Sequence, residues 1–165
     1  SIQVGRILDR LACQIIERNK GHESIELVGI EKNQLILEGR SPRSEYLAAY
    51  NRVDIALSPF PYGGGTTSVE GLWMGVPVIV KRGTYFLSHL GESIAHNAGL
   101  SNWIASDDDE YVAKALEFTD NLGDLAALRS RLRAQVLSSP LFDAERFSCH
   151  FENSLRDMWE RRKEE

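Results

Sequence analysis

Apolar residues recur along this chain at two spacings, one helical and one strand-like, and the two alternate. Val4, Ile7, Leu8, Leu11, Ala12, Ile15 and Ile16 follow the i, i+3, i+4, i+7 pattern of a helix with one buried face. The polar stretch from Glu17 to Glu23, with Gly21 in it, ends that helix, and a further helical turn is expected over 24–29. Gln34-Leu35-Ile36-Leu37-Glu38 reads as a short strand closed by Gly39. Ser41 as cap, Pro42 at the first helical position and Glu45 near the capping-box place predict a helix running through Tyr46, Leu47 and Tyr50. Val53-Asp54-Ile55-Ala56-Leu57 is mostly apolar, as a strand buried on both faces would be.

After the loop Ser58-Pro59-Phe60-Pro61-Tyr62-Gly63-Gly64-Gly65, a helix is predicted over 66–74, stopped by Gly75 with Pro77 just beyond. Pro77-Val78-Ile79-Val80 gives a third strand. A helix over 86–97 places Leu87, Leu90 and Ile94, with Ala98, on one face. Trp103-Ile104-Ala105 gives a very short fourth strand. Asp107, Asp108 and Asp109 suit the N-terminal dipole of a helix over 110–119. Leu122, Leu125, Leu128, Leu132 and Val136 mark the next helix. Phe147, Phe151, Leu155, Met158 and Trp159 mark the last, and its stripe, like Trp103, is expected in the core. Strand and helix alternate through the middle, so the expected class is α/β with a parallel sheet. Four strand candidates are few for an open sheet, which points to further strands outside this chain.

Length and charge narrow the picture. The 165 residues suit a single domain, 1–165. Nineteen Lys and Arg against 24 Asp and Glu leave a net charge of −5, a poor match for a polyphosphate backbone, so no nucleic-acid partner is expected. No apolar run approaches the roughly 18 residues of a membrane span, and no membrane partner is expected. The first residues carry neither a basic n-region nor an h-region, and two distant cysteines, Cys13 and Cys149, cannot make a disulfide framework. A reducing cytoplasm fits this best. Neither cysteine has ligand neighbours at zinc spacing beyond the adjacent Cys149-His150 pair, so no metal is expected.

The candidate chemistry lies in Gly63-Gly64-Gly65-Thr66-Thr67-Ser68-Val69-Glu70, between a buried strand and a helix. Ligands of open α/β sheets bind beyond the carboxyl ends of the strands, where such loops lie. Glycines let the backbone come close to a ligand, and the helix start behind them offers free N–H groups and a positive dipole end to a diphosphate. Thr66 and Thr67 add hydroxyls, and the Glu70 carboxylate suits a ribose diol. The run is neither a P-loop nor a Gly-x-Gly-x-x-Gly dinucleotide pattern. A tight turn and a Thr67-x-x-Glu70 capping box would explain the same residues without a ligand. No Ser-His-Asp set or carboxylate pair is visible at hydrolase spacing.

The run Asp54-Ile55-Ala56-Leu57-Ser58-Pro59-Phe60-Pro61-Tyr62-Gly63-Gly64-Gly65-Thr66-Thr67-Ser68-Val69-Glu70-Gly71-Leu72-Trp73-Met74-Gly75-Val76-Pro77-Val78 closely resembles the protein O-GlcNAc transferase family, which includes the SPINDLY-like proteins. Gly91-Glu92-Ser93, Ala98-Gly99-Leu100, Glu110-Tyr111-Val112, Ser138-Ser139-Pro140-Leu141-Phe142 and Met158-Trp159 match in family order, so the resemblance covers roughly residues 30 to 160 and leaves 1–30 without a clear match.

The resemblance implies the C-terminal, Rossmann-like half of a GT-B glycosyltransferase that is inverting and metal-independent. Its donor is UDP-GlcNAc, no other cofactor is implied, and the acceptors are Ser or Thr hydroxyls of proteins. An upstream catalytic half and tetratricopeptide repeats are the implied partners. Carried over, Ser41 contacts the base through its backbone, Arg43 lies near the base, and Tyr46 stands where the family often has His. Gly64 belongs to the diphosphate loop. Gly65, Thr66 and Thr67 match the diphosphate-binding His-Thr-Thr, and Glu70 matches a ribose-binding Asp. No lysine here is assigned the family's diphosphate role, and the catalytic residues lie outside this chain, so the fragment alone is expected to be inactive. SPINDLY-like fucosyl or other hexosyl transfer, and a non-catalytic nucleotide-sugar-binding module, are the alternative readings. His89 stands where the family often has Arg; it is either a phosphate-side residue or an ordinary helix histidine, the reading given to His96 and His150. Lys81 and Arg82 end a strand and face either an anion or solvent. Trp73 and Met74 are expected to pack beneath the site.

Overall fold

The computed structural model describes Ile36 and residues 38–163. The helix expected over 4–16 and the turn over 24–29 lie outside the described residues. So does most of the strand expected over 34–38, of which Ile36 and Glu38 carry no regular structure.

Three parallel strands form the sheet in the order β1 (Ala56–Leu57), β2 (Val78–Lys81), β3 (Ile104–Ala105). Ala56 pairs with Val78 and Leu57 with Ile79, and on the other side Val80 pairs with Ile104 and Lys81 with Ala105. β1 and β3 are shorter than the strands predicted over 53–57 and 103–105, whereas β2 keeps four residues and begins one later than the predicted 77–80. Bonds from the Ala56 amide to the Pro77 carbonyl and from the Ser58 amide to the Ile79 carbonyl, each 2.9 Å, carry the β1–β2 pairing past the strand ends. Apart from Lys81 at the end of β2, these strand residues are apolar, and most are buried, as expected of parallel strands covered on both faces.

Helix α1 (Arg43–Ala49) continues into a 3-10 turn over Tyr50–Arg52. It starts one residue later than the sequence predicts. Pro42, at ψ 151°, stays extended and is itself the cap residue, and neither Ser41 nor Glu45 supplies a capping hydrogen bond. Helix α2 (Thr66–Trp73) follows the glycine loop. A 3-10 turn over Phe86–His89 precedes α3 (Leu90–Asn97), where one continuous helix was expected. Helix α4 (Asp108–Asp120) is capped by the Asp107 side chain, while Asp108 and Asp109 lie inside its first turn. Helices α5 (Leu122–Leu137) and α6 (Ala144–Lys163) complete the order.

Helices α3 and α4 lie against the sheet, and α5 lies along α2. Leu72, Val76, Ile79, Leu132 and Val136 are fully enclosed where these layers meet. Gly75, at φ 77°, turns the chain out of α2 under α5; a β-carbon there would stand 3.0 Å from the Arg129 carbonyl oxygen. Arg129 fastens the same corner by donating to Asp54 at 2.6 Å and to the Gly75 carbonyl at 3.3 Å.

Trp103 is buried as expected and stacks on Phe118, with ring centroids 3.9 Å apart. The stripe of α6 departs from expectation: Phe147 is 68% exposed and Trp159 63%, and no residue of that helix is buried. The helix meets the other described residues chiefly at the Pro140–Phe142 turn, so its apolar face has no layer of the described core to lie on.

Candidate functional site

The site forms where β1 ends. Ser58, buried at the carboxyl end of β1, accepts a hydrogen bond from the Gly64 amide at 3.2 Å, which folds the loop back over the strand. Its own carbonyl is held by the buried Tyr111 hydroxyl at 3.0 Å, and Tyr111 packs edge-on against Phe60. Burial pushes the Tyr111 phenol well above its usual pKa, so it remains a donor. Ser68, one turn into α2, donates to the Gly64 carbonyl at 3.0 Å. Gly64 is therefore gripped on both sides. A β-carbon there would lie 2.5 Å from Ser68 Oγ and 2.9 Å from Thr67 Oγ1.

Gly65 is different. It is the cap residue of α2, at φ −96°, and a β-carbon would meet only Leu90 Cδ2, at 3.4 Å. No side chain caps the helix, so the first-turn amides have no side-chain acceptor in front of them. Thr66 and Thr67 are exposed at that opening. The Thr67-x-x-Glu70 capping box is absent, because Glu70 turns away from the helix start towards α1.

Glu70 is the junction between the two helices. Its Oε1 lies 2.9 Å from Arg43 Nη1, and its Oε2 accepts from the Tyr46 hydroxyl at 3.1 Å. The carboxylate is only 12% exposed, whereas Arg43 is 70% exposed. Tyr46 lies 2.7 Å from the Tyr50 hydroxyl, and Tyr50 reaches the Thr67 carbonyl at 3.2 Å. Burial first, and then the hydrogen bond with Tyr50, raise the Tyr46 pKa far above the ordinary phenol value. Ser41 is exposed just ahead of α1. Of the eight residues singled out from sequence, Arg43, Tyr46 and Glu70 are thus in direct contact, and Gly64, Gly65, Thr66 and Thr67 form the adjoining loop and helix start. Ser68 lies within the candidate run without a role assigned to it, and Ser58 and Tyr50 are not marked as site residues by the sequence. Tyr50 alone left a signal, its i, i+4 spacing from Tyr46.

A cavity of about 810 Å³ opens beyond the ends of β2 and β3, bordered by Phe60, Lys81, Thr84, Tyr85 and Asp108. Lys81 pairs with Asp108 and lies 3.7 Å from the centre of the Phe60 ring. Arg82 Nε and His89 Nδ1 both bond Glu92, at 2.7 and 2.9 Å, and the bond with His89, ahead of that with Arg82, lowers the Glu92 pKa. These three side chains are engaged with carboxylates on α3 and α4. His96 and His150 are exposed, and Trp73 and Met74 are half-buried. Among the described residues, no group of His, Cys, Asp and Glu is arranged to hold a metal ion, and no helix is long and apolar enough to cross a membrane.

A parallel sheet with flanking helices, and a glycine loop leading from a strand end into an open helix start, make this a Rossmann-like α/β half of the GT-B type. The solved structure titled "Thermobaculum terrenum O-GlcNAc transferase mutant - K341M" superposes with a TM-score of 0.77 at 37% identity, over 83% of this chain and 26% of that one. The family model "Glycosyl transferase family 41" matches residues 11–151, and the chain belongs to that family. The Hordeum vulgare protein named probable UDP-N-acetylglucosamine--peptide N-acetylglucosaminyltransferase SPINDLY is 34% identical over 87% of this chain, and its Solanum lycopersicum counterpart 38% over 71%. The chain spans about 15% and 13% of their respective lengths.

Proposed function

We propose that the chain forms the donor-binding half of a protein O-linked N-acetylglucosaminyltransferase, holding UDP-GlcNAc for transfer to Ser or Thr hydroxyls. The observation that carries this reading is the start of α2, uncapped, fronted by Gly64 and Gly65, with Thr66 and Thr67 exposed beside it. The diphosphate would lie against those amides, where the helix dipole favours negative charge. Glu70 would accept from the ribose hydroxyls. Arg43 and Tyr46 would border the uracil, with the Ser41 backbone beside them.

In the transfer, the acceptor hydroxyl attacks the anomeric carbon opposite the diphosphate, the bond from that carbon to the phosphate oxygen breaks, and the configuration inverts. Charge grows on the departing diphosphate, where fixed amides and hydroxyls stabilise it without reorganising. The acceptor and the group that takes its proton belong to an upstream catalytic half, which tetratricopeptide repeats would precede in a cytoplasmic protein. These 165 residues alone should therefore bind donor weakly and transfer nothing, since half a cleft cannot hold the reactants in near-attack geometry. Thermal-shift comparison of UDP, GDP and their sugars tests the donor: a larger shift with the uridine nucleotides is expected, and a preference for GDP overturns the choice in favour of a fucosyl-type donor.

A further inference from the structure

The contacts between α1 and α2 contain more hydrogen-bond partners than protons. Tyr46 and Tyr50 carry one hydroxyl proton each, while the Glu70 carboxylate and the Thr67 carbonyl only accept. Three contacts join the four groups: Tyr46 to Glu70 Oε2 at 3.1 Å, Tyr46 to Tyr50 at 2.7 Å, and Tyr50 to the Thr67 oxygen at 3.2 Å. Two protons cannot serve all three. If each tyrosine donated outward, two oxygens 2.7 Å apart would face each other with no proton between them. The occupied arrangements are therefore Tyr50 to Tyr46 to Glu70, or Tyr46 to Tyr50 to Thr67. An ionised carboxylate is a stronger acceptor than a backbone carbonyl, so the protons run towards Glu70.

We propose that Tyr50 is a positioning residue of the donor site: by donating to Tyr46 it commits the Tyr46 proton to Glu70 and fixes the carboxylate that receives the ribose hydroxyls. This rests on the ribose role proposed for Glu70. A glutamate has an additional rotatable bond and loses more freedom when held than an aspartate does. Arg43 holds Oε1, but its own side chain is 70% exposed, so the steadier hold comes through Oε2 and the two tyrosines. The fold makes room for this. Tyr50 is buried, and a β-carbon at Gly71 would stand 3.3 Å from its Cε1, so the absence of a side chain at 71 lets the ring lie against α2. Burial raises the pKa of both phenols, which keeps the number of donors at two through the ordinary pH range.

The test is a comparison of UDP with its 2′,3′-dideoxy analogue, measured as dissociation constants for the unaltered chain, Tyr50→Phe and Tyr46→Phe, with thermal unfolding of each. The unaltered chain should prefer UDP by about tenfold or more, the worth of hydrogen bonds to a charged group. Tyr50→Phe should cut that preference to about threefold or less, by weakening UDP and leaving the analogue nearly unchanged. Tyr46→Phe, which breaks the relay at its more exposed member, should do the same and decides the matter if the Tyr50 variant does not fold. A purely structural tyrosine would weaken both nucleotides equally; an unchanged preference in folded Tyr50→Phe, or in Tyr46→Phe should that variant alone fold, overturns the proposal. If the unaltered chain binds UDP without preferring it to the analogue, the ribose role of Glu70 is wrong, and the proposal falls with it. If it binds neither, the donor-site reading itself fails.

Discussion

Arg43 and Glu70, 27 positions apart in sequence, meet at 2.9 Å and join the helix before β1 to the helix after it. The residues that the family resemblance assigns to base and ribose are thus already in contact. A guanidinium that is 70% exposed gives little to stability, since exposed pairs are worth about 0–1 kcal/mol. Arg43→Ala should leave thermal unfolding within that range while weakening UDP. A large loss of stability would show that the pair is chiefly a structural clamp.

The neighbouring glycines Gly64 and Gly65 should respond in opposite ways. At Gly64 an added methyl would lie 2.5 Å from the Ser68 hydroxyl, itself bonded to the loop, so Gly64→Ala should cost about 1–3 kcal/mol by overpacking, read in denaturant unfolding. At Gly65 the nearest atom a β-carbon would meet is a leucine methyl at 3.4 Å, an ordinary contact. Gly65→His should fold normally and tighten UDP more than uridine at pH 6, where a protonated imidazole can face the diphosphate.

Glu110 should give the chain a specific acid sensitivity. Hydrogen bonds from the Ser106 hydroxyl and amide, and then the neighbouring Lys114, hold its carboxyl at a pKa of about 2, against an ordinary 4.5. A depressed pKa means that the folded state favours the carboxylate, so its contribution is complete above pH 4.5 and is lost as pH falls towards 2. Melting temperature should therefore drop more steeply across that window in the unaltered chain than in Glu110→Gln. Parallel curves would contradict the assignment.

How much of this was legible in the sequence depended on whether the cause was local. The glycine loop, the stop at Gly75 and an aspartate-capped start of α4 follow from neighbouring residues, although α4 begins two residues before the expected 110. β1 and β3 are shorter than expected, and β2 is shifted by one residue. The Ser41-Pro42 pattern places the start of α1 one residue early, because Pro42 stays extended rather than helical. The spacing on α6 predicts a core stripe that the structure leaves exposed, because periodicity shows that a face is apolar and not what covers it. The Tyr50–Thr67 and Tyr46–Glu70 contacts cross 17 and 24 residues, and the place of the Tyr50 ring depends on an empty space at Gly71, which no local pattern marks. The bond between Ser58 and Gly64 is similarly hidden, since a serine ending a strand reads as loop.

Thr67 should be the side chain most directly answerable to the diphosphate. Its hydroxyl stands at the open helix start, so Thr67→Val keeps the shape and removes one hydrogen bond, weakening UDP by about 1 kcal/mol, or roughly fivefold. Uridine, which lacks the diphosphate, should bind both forms equally. Equal loss for both ligands would mean that Thr67 supports the loop and does not touch phosphate.

The most direct measurement is a calorimetric titration of the 165-residue chain with UDP. A donor half built around the α2 start predicts saturable heat with one site per chain, weaker for UMP and weaker still for uridine as phosphate groups are removed. No saturable heat at millimolar UDP would contradict the account at its centre.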